Sequence, residues 1–266
     1  MRKSFFGLSA LFPLSALFFL VGCTKTVQLN LNTTASQLVI QGTVSDTTGP
    51  YQVLISQSVG FYSNSIYPSV SGASVTIADS TTGMTDQLTE TSPGVYSTHT
   101  IVGRPGDTYL LTAQVNGKRY TASSTMPQPV PLDSVTFDNQ SIKNTIRAES
   151  NFQDPVQYTN YYSFTQYVNG KDLQEIHTFE DRLSNGRYIR EKMDNDTSDI
   201  RNGDTVQLFL IGIDKNVYNF LSEAENIAYN NDNLVAPATP TSNITGGCLG
   251  YFSAQTVSSK KGIVKF

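Results

Sequence analysis

The sequence predicts a mainly β protein, with an N-terminal β-sandwich of about seven strands and a second β-rich domain that packs one α-helix. Three observations lead to this prediction. Thr, Ser, Asn, Val and Tyr are abundant, and charged residues make up only 15% of the chain. Turn residues recur about every ten positions. One segment, residues 215–230, has its apolar residues at helical spacing.

The chain begins with a segment typical of a lipoprotein signal peptide, residues 1–22. Arg2 and Lys3 give it a basic start, an apolar run follows, and the last three residues before Cys23 are Leu-Val-Gly. This pattern resembles the bacterial lipobox, in which the cysteine is acylated and becomes the first mature residue. We therefore expect Cys23 to hold the chain on a lipid bilayer. An uncleaved transmembrane helix and an ordinary secretory signal are the alternatives.

Composition restricts the partners and the chemistry. The net charge of −4 at pH 7 and the scattered basic residues argue against nucleic acid. Cys23 and Cys248 are the two cysteines. If Cys23 is acylated no intrachain disulfide forms, and we interpret Cys248 as a buried small residue rather than a nucleophile. The chain contains no cofactor motif, so we expect no cofactor.

The first domain is predicted over residues 37–126, after a polar tether at residues 23–36. The middle of this tether is either extended or an added edge strand. Short alternating segments bounded by turn residues indicate its strands. The predicted strands are residues 38–44, 51–55, 73–77, 85–89, 95–98, 108–115 and 119–123. Asn116-Gly117 joins the last two and tolerates the positive φ angles of a type I′ hairpin turn.

Three prolines at alternate positions in residues 127–131 predict an extended connector and a domain boundary. The second domain is predicted over residues 132–266. Its predicted strands are residues 135–137, 146–152, 161–168, 173–179, 187–193, 205–213, 255–257 and 263–266. Asn169-Gly170 and Asn185-Gly186 indicate two further hairpins.

The predicted helix, residues 215–230, follows Asp214, which is placed to cap its first turn. Its apolar stripe is interpreted as the face that packs on the sheet rather than as a cofactor site. The loop at residues 231–247 is too long for a simple connection. Loops of this length are commonly functional or disordered.

The chain is similar to the Bacteroidota lipoprotein family called domain of unknown function 4249. The order of several short motifs carries the resemblance over nearly the whole mature chain. These motifs are Cys23-Thr24-Lys25, residues 38–42, Gly49-Pro50-Tyr51, residues 68–77, residues 93–96, residues 106–111, residues 117–120, residues 240–244 and residues 246–252.

The resemblance implies an outer-membrane lipoprotein that accompanies a TonB-dependent receptor in nutrient uptake. It also implies that the first domain is a prealbumin-like or immunoglobulin-like sandwich, and it carries over no catalytic residue. Surface-exported lipoproteins of this phylum favour acidic residues after the cysteine, whereas here Lys25 is present and Asp46 is the first acid. The membrane face therefore stays open.

Aromatic residues give the strongest binding signal. Phe61, Tyr62 and Tyr67 lie on the long loop of the first domain, and such rings suit contact with a glycan or peptide. A second and weaker group is Tyr158, Tyr161 and Tyr162. For both groups the alternative is packing on the sheet.

Two further patterns are weaker. Asp194, Asp196 and Asp199 alternate in a polar turn, as the oxygen ligands of calcium do, but they lack the glycine and distant glutamate of an EF-hand. A solvated turn is the alternative. His99 and His177 are far apart in sequence and fit no zinc or triad spacing, so we interpret them as structural.

The leading hypothesis is a non-catalytic lipoprotein that is anchored in the outer membrane and binds a TonB-dependent receptor or helps to deliver its substrate. An adhesive or envelope-structural protein is the second hypothesis. A hydrolase, which would need a pocket with convergent acidic or nucleophilic groups, is the third.

Overall fold

Strands dominate the fold, and the prediction of a mainly β protein with one helix is confirmed. The structure, a computed structural model, describes residues 36–59, 67–140, 145–193, 200–229 and 239–266. These residues belong to one compact unit, Ala35–Phe266. Within the described residues, no helix is long and apolar enough to cross a membrane.

The elements of the described residues follow in chain order. The first half holds β1 (Leu38–Ser45), β2 (Gln52–Gln57), β3 (Ser74–Asp79), β4 (Thr85–Gln87), β5 (Thr89–Ser92), β6 (Val95–Ser97), β7 (Thr108–Val115) and β8 (Lys118–Thr125). The second half holds β9 (Ser134–Gln140), β10 (Thr145–Gln153), β11 (Tyr161–Val168), β12 (Lys171–Asp172), β13 (His177–Glu180), β14 (Tyr188–Lys192), β15 (Thr205–Ile213), α1 (Lys215–Tyr229) and β16 (Leu249–Ile263). A 3₁₀ turn, Asp181–Leu183, lies between β13 and β14.

The strands form three sheets. The large sheet has the order β12-β11-β15-β16-β1-β2-β6-β5, and β13 also pairs with β11. A four-stranded sheet, β4-β3-β7-β8, covers its first part, and the first hydrophobic core lies between the two. The third sheet, β14-β10-β9, contributes Ala148, Phe152 and Ile189 to a second core, which it shares with β11 and β15. The first domain is thus a two-layer sandwich.

Local turn chemistry fixes two hairpins as predicted. Asn116 and Gly117 have φ angles of 50° and 79°, and Asn169 and Gly170 have φ angles of 52° and 81°. The third predicted hairpin, at Asn185-Gly186, is wrong. A turn is present there, but β13 pairs with β11 whereas β14 pairs with β10, so the chain crosses between two sheets at this point.

The last strand, β16, differs most from its prediction as two short strands. It runs without a break over Leu249–Ile263. One of its edges pairs in parallel with β1, and the other pairs antiparallel with β15. At Gly250, with φ +96°, a Cβ atom would lie 2.0 Å from the carbonyl oxygen of Ile40. Only glycine permits this close approach of β16 to β1.

The boundary at residues 127–131 separates two cores but not two independent bodies. Along the chain, the first core ends at Met126 and the second begins at Val130. However, the first core also contains Ile244, Cys248, Phe252 and Ala254, which belong to the predicted second domain. The large sheet is continuous through β16 and β1 because these strands are hydrogen-bonded to each other.

Helix α1 begins and packs as predicted. The N–H groups of Asn216 and Val217 donate to Oδ1 of Asp214 at 2.8 and 3.1 Å, which is an N-cap. Val217 is fully buried. The Phe220 ring lies 5.1 Å from the Tyr251 ring of β16, so the helix covers the large sheet.

Candidate binding site

A cleft of about 430 Å³ opens on the outer face of β7 and β8. Strand residues of β7 and β8 form its floor, and the start of α1 and the turn at residues 243–245 form its walls. The lining residues are Leu110, Leu111, Thr112, Arg119, Thr121, Ala122, Ser123, Asn216, Asn243 and Thr245. We call this the β7–β8 cleft.

The strand register decides which side chains face the cleft. Leu111 and Ala122 are paired across the hairpin and point into the first core. Side chains alternate across a strand, so Leu110, Thr112 and Thr121 point outward. Leu110 is 41% exposed. The hairpin thus places a small apolar surface among hydroxyl groups.

A network of hydrogen bonds holds the wall at residues 243–245 in place. The Thr245 N–H donates to the Thr121 carbonyl at 2.8 Å, and their two hydroxyls lie 2.7 Å apart. The Asn243 amide donates to the Phe252 carbonyl at 2.7 Å and accepts its N–H at 3.0 Å. The wall is therefore preorganised, which lowers the entropic cost of binding a ligand.

The described lining of the cleft is rich in groups that form hydrogen bonds. Its described lining offers hydroxyls, amides and the exposed Arg119, which forms no ion pair with another described residue. Among these described lining residues, none carries a carboxylate, thiol or imidazole. A Ser or Thr hydroxyl acts as a nucleophile when a general base lies beside it, and these three groups are common general bases or nucleophiles.

The structure describes only some of the binding residues predicted from the sequence. Phe61 and Tyr62 lie outside the described residues, as does the lipidation residue Cys23. The calcium candidates Asp194, Asp196 and Asp199 also lie outside them. Tyr67, at the end of the long loop, is 59% exposed.

The second aromatic group has three different environments. Tyr158 is exposed on a loop after β10. The Tyr161 ring lies 5.1 Å from the ring of Tyr218 on α1. Tyr162 is buried, and its hydroxyl donates to Oδ1 of Asp154 at 2.5 Å. These three side chains therefore do not form one binding surface.

Asp154 and Asp181 form a buried acidic pair below this loop. Asp154 also accepts the Gly186 N–H at 2.8 Å, and Oδ2 of Asp181 accepts the Asn160 N–H at 2.9 Å. Oδ1 of Asp181 is buried without a hydrogen-bond partner among the described residues. Burial and the negative charge of Asp154 raise the pKa of Asp181, against the opposing hydrogen bonds from Asn160. Asp154 lies in the loop before β11 and Asp181 directly follows β13, so the pair connects these two parts of the chain.

The two histidines each contact carboxylates. Nδ1 of His99 lies 3.4 Å from Asp86, and Nε2 of His177 lies 2.9 Å from Glu191 and its Nδ1 3.8 Å from Glu225. In the part of the chain that the structure describes, no group of three or more His, Cys, Asp or Glu side chains is placed to hold a metal ion.

Cys248 is buried, as predicted, in the first core. Burial raises the pKa of its thiol to about 11, although the positive charge of Lys118 opposes the shift. The thiolate is the nucleophilic form of cysteine, so the raised pKa disfavours the reactive form of this side chain at neutral pH.

Sequence reasoning missed the β7–β8 cleft. The alternation of Thr and Ser on the β7–β8 hairpin was a signal, since it leaves polar side chains on one face of a predicted sheet. The wall at residues 243–245 could not be predicted from the sequence, because Thr245 follows Thr121 by more than a hundred residues and their pairing depends on the whole fold.

Comparison with protein families gives one match. A family model described as Domain of unknown function (DUF4249) matches residues 24–261. The matched range covers the first core, the second core except Val264, the β7–β8 cleft and nearly all of β16. No curated protein matches the chain.

Proposed function

The chain belongs to the DUF4249 family, and from this premise we propose that it is a lipid-anchored, non-catalytic binding protein of the cell envelope. It holds a polar ligand, a glycan or a peptide, beside a TonB-dependent receptor in the outer membrane. The observation that supports this proposal most is the β7–β8 cleft, which offers hydroxyls, amides and an arginine beside a wall that hydrogen bonds hold in place.

The cleft lining fits the chemistry of such a ligand. Thr112 and Ser123 offer hydroxyls that both donate and accept, and Asn216 offers an amide. Arg119 suits a carboxylate on an acidic sugar or peptide, while Leu110 contacts the apolar face of a sugar ring or side chain. A few hydrogen bonds of about 0.5–1.5 kcal/mol each sum to no more than about 5 kcal/mol, which corresponds to weak binding in roughly the millimolar range.

Binding is a better account than hydrolysis. The described lining of the cleft provides no carboxylate, thiol or imidazole that could act as a general base for its Ser and Thr hydroxyls, and the Cys248 thiol lies in the core. A transport accessory needs weak and reversible contacts because the ligand must pass on to the receptor.

Anchoring through Cys23 is part of the proposal. The family match begins at residue 24, directly after this cysteine, which supports a mature chain that starts at Cys23. The test is metabolic labelling with an alkyne analogue of palmitate. We expect label on the wild-type chain and none on Cys23→Ala, with the variant released from the membrane fraction. Equal labelling of both chains contradicts acylation at Cys23.

The receptor partnership is tested by a pull-down from native membranes in mild detergent. A tag is placed after Phe266, which is exposed. We expect mass spectrometry to find a TonB-dependent receptor enriched over the pull-down of an unrelated tagged lipoprotein. Recovery of no such receptor overturns this part of the proposal.

A further inference from the structure

Two loops, residues 154–160 and residues 181–188, lie together at one end of β10 and β14. We call them the tip. The Asp154 N–H donates to the Arg187 carbonyl at 3.0 Å, and the Asn185 amide donates to the Tyr158 carbonyl at 3.2 Å. The buried pair of Asp154 and Asp181 joins the same loops from below. The two loops therefore form one ordered unit.

The tip carries the most exposed large apolar side chains of the described residues. Leu183 is 85% exposed, Val156 is 73% exposed and Tyr158 is 66% exposed. Tyr188, beside them, is 49% exposed. A side chain with such exposure projects into solvent rather than lining a groove. Exposed apolar side chains that lie close together mark an interaction surface.

The exposed charge of the tip is positive. Arg182 and Arg187 are exposed, and Arg190 follows on β14. Arg182 has only a loose contact with a carboxylate, 3.9 Å from Glu180. Both acids of the tip, Asp154 and Asp181, are buried. The tip is thus a cationic surface on a chain whose net charge is −4.

We propose that the tip inserts into the surface of an anionic lipid bilayer. Projecting leucine, valine and tyrosine side chains enter the boundary between headgroups and acyl chains, and arginines beside them contact the lipid phosphates. A standard protein–protein interface buries about 800 Å² on each partner around an apolar centre that fits a complementary surface. Projecting apolar side chains with a basic rim, and no groove around them, fit a fluid lipid surface better.

This inference is independent of acylation at Cys23, since it rests on the residues of the tip alone. The buried acidic pair supports it, because an ordered loop pays less entropy on insertion than a mobile one. If both contacts exist, the tip sets the orientation of the body on the membrane, which a single flexible tether does not.

The test uses the compact unit Ala35–Phe266, which lacks Cys23 and hence any acyl chain. The unit is sedimented with vesicles of phosphatidylethanolamine and phosphatidylglycerol, or of phosphatidylcholine alone. We expect it to bind the anionic vesicles. Leu183→Ser combined with Tyr158→Ser should lower the partition coefficient about tenfold. Met84→Ser, which changes an apolar side chain that is 46% exposed on the sandwich, should leave it unchanged.

A second pair of variants tests how much the positive charge of the tip contributes to vesicle binding. Arg187→Glu should weaken binding to anionic vesicles but not to phosphatidylcholine vesicles, and the exposed Lys261→Glu should change neither. The proposal is overturned if the wild-type unit binds no vesicles, or if its binding survives the double substitution in the tip.

A second measurement does not depend on loss of binding. Leu183→Cys, labelled with an environment-sensitive fluorophore, reports its surroundings directly, since Cys248 is buried. We expect its emission to shift to shorter wavelength on addition of the anionic vesicles. An unchanged emission, or a shift that appears only with a protein partner, rejects insertion into lipid.

Discussion

At the scale of single residues, the tyrosines in the family motifs act as structural side chains. The Tyr96 hydroxyl accepts the Ala73 N–H and donates to the Val70 carbonyl, both at 3.0 Å. The Tyr109 hydroxyl accepts the Arg104 N–H at 2.8 Å and donates to the Val102 carbonyl at 2.9 Å. Each ring is buried, and its hydroxyl forms hydrogen bonds with backbone N–H and carbonyl groups of a loop.

Asp86 forms hydrogen bonds with the backbone of the loop after β6. It is buried and accepts N–H bonds from His99, Thr100 and Ile101 at 2.8, 2.6 and 3.0 Å. Burial alone raises the pKa of Asp86, but these hydrogen bonds outweigh it and lower the pKa to about 2. The charged carboxylate is therefore the form that stabilises the fold.

This shift predicts a pH dependence. The pKa of Asp86 is lower in the folded state than its usual value of about 3.9, so its stabilisation is complete above about pH 4 and is lost as the pH falls to 2. We expect Asp86→Asn to lower the free energy of unfolding by about 2 kcal/mol at pH 6, and by less at pH 2. Urea unfolding measures both.

The matched control for Asp86 is Asp133→Asn, since Asp133 is exposed. This substitution should change the free energy of unfolding by no more than about 0.5 kcal/mol. A difference between wild type and Asp86→Asn that stays constant from pH 2 to pH 6 argues against a stabilising carboxylate.

At the scale of elements, local signals in the sequence predicted some structure well. Asn116-Gly117 and Asn169-Gly170 predicted their hairpins because a positive φ angle at two successive residues suits few other residue types. Asp214 predicted the start of α1 because its carboxylate bonds the first free N–H groups. In each case the physical cause lies within a few residues.

The hairpin offers a direct test of this local cause. A Cβ atom at Gly117 would meet nothing within 4 Å, so any cost of Gly117→Ala comes from the φ angle of +79° alone. We expect the substitution to lower the free energy of unfolding by about 1–2 kcal/mol. Gln114→Ala, at an exposed position of β7, is the control with little expected change. Equal stability of both variants contradicts the type I′ turn.

Other elements were not predictable because their cause is distant in sequence. Asn185-Gly186 has hairpin composition, but the strands beside it find partners in different sheets. The length of β16 depends on β1 and β15 on its two sides. The wall of the β7–β8 cleft likewise depends on Thr245 meeting Thr121.

At the scale of the whole molecule, β16 contributes to the cores on both sides of the domain boundary that the sequence predicts at residues 127–131. Phe252 and Ala254 close the first core, while Val264, just beyond the strand, lies in the second. Three prolines at alternate positions predicted an extended connector and a domain boundary there. They did not show that one strand serves both cores, since strand pairing across the molecule leaves no local pattern.

The shared strand predicts that residues 37–126 do not fold alone. Without β16, β1 has an unpaired edge and the core lacks Phe252; losing a buried Phe side chain costs about 3–5 kcal/mol. We expect a poorly dispersed amide NMR spectrum from this fragment. The same fragment, joined by a flexible linker to residues 242–257, should regain dispersion. A well-dispersed spectrum from residues 37–126 alone shows that the sandwich is independent.

Binding of a polar ligand in the β7–β8 cleft is measured with arrays of immobilised ligands. The unit Ala35–Phe266 is applied to arrays of glycans and peptides, beside Ser123→Trp, which fills the cleft, and Thr85→Trp, an exposed position on β4 of the same sheet. We expect wild type and Thr85→Trp to bind the same ligands and Ser123→Trp to bind them at least about tenfold more weakly. Absence of binding by the wild-type unit, or binding that Ser123→Trp leaves unchanged, contradicts the claim.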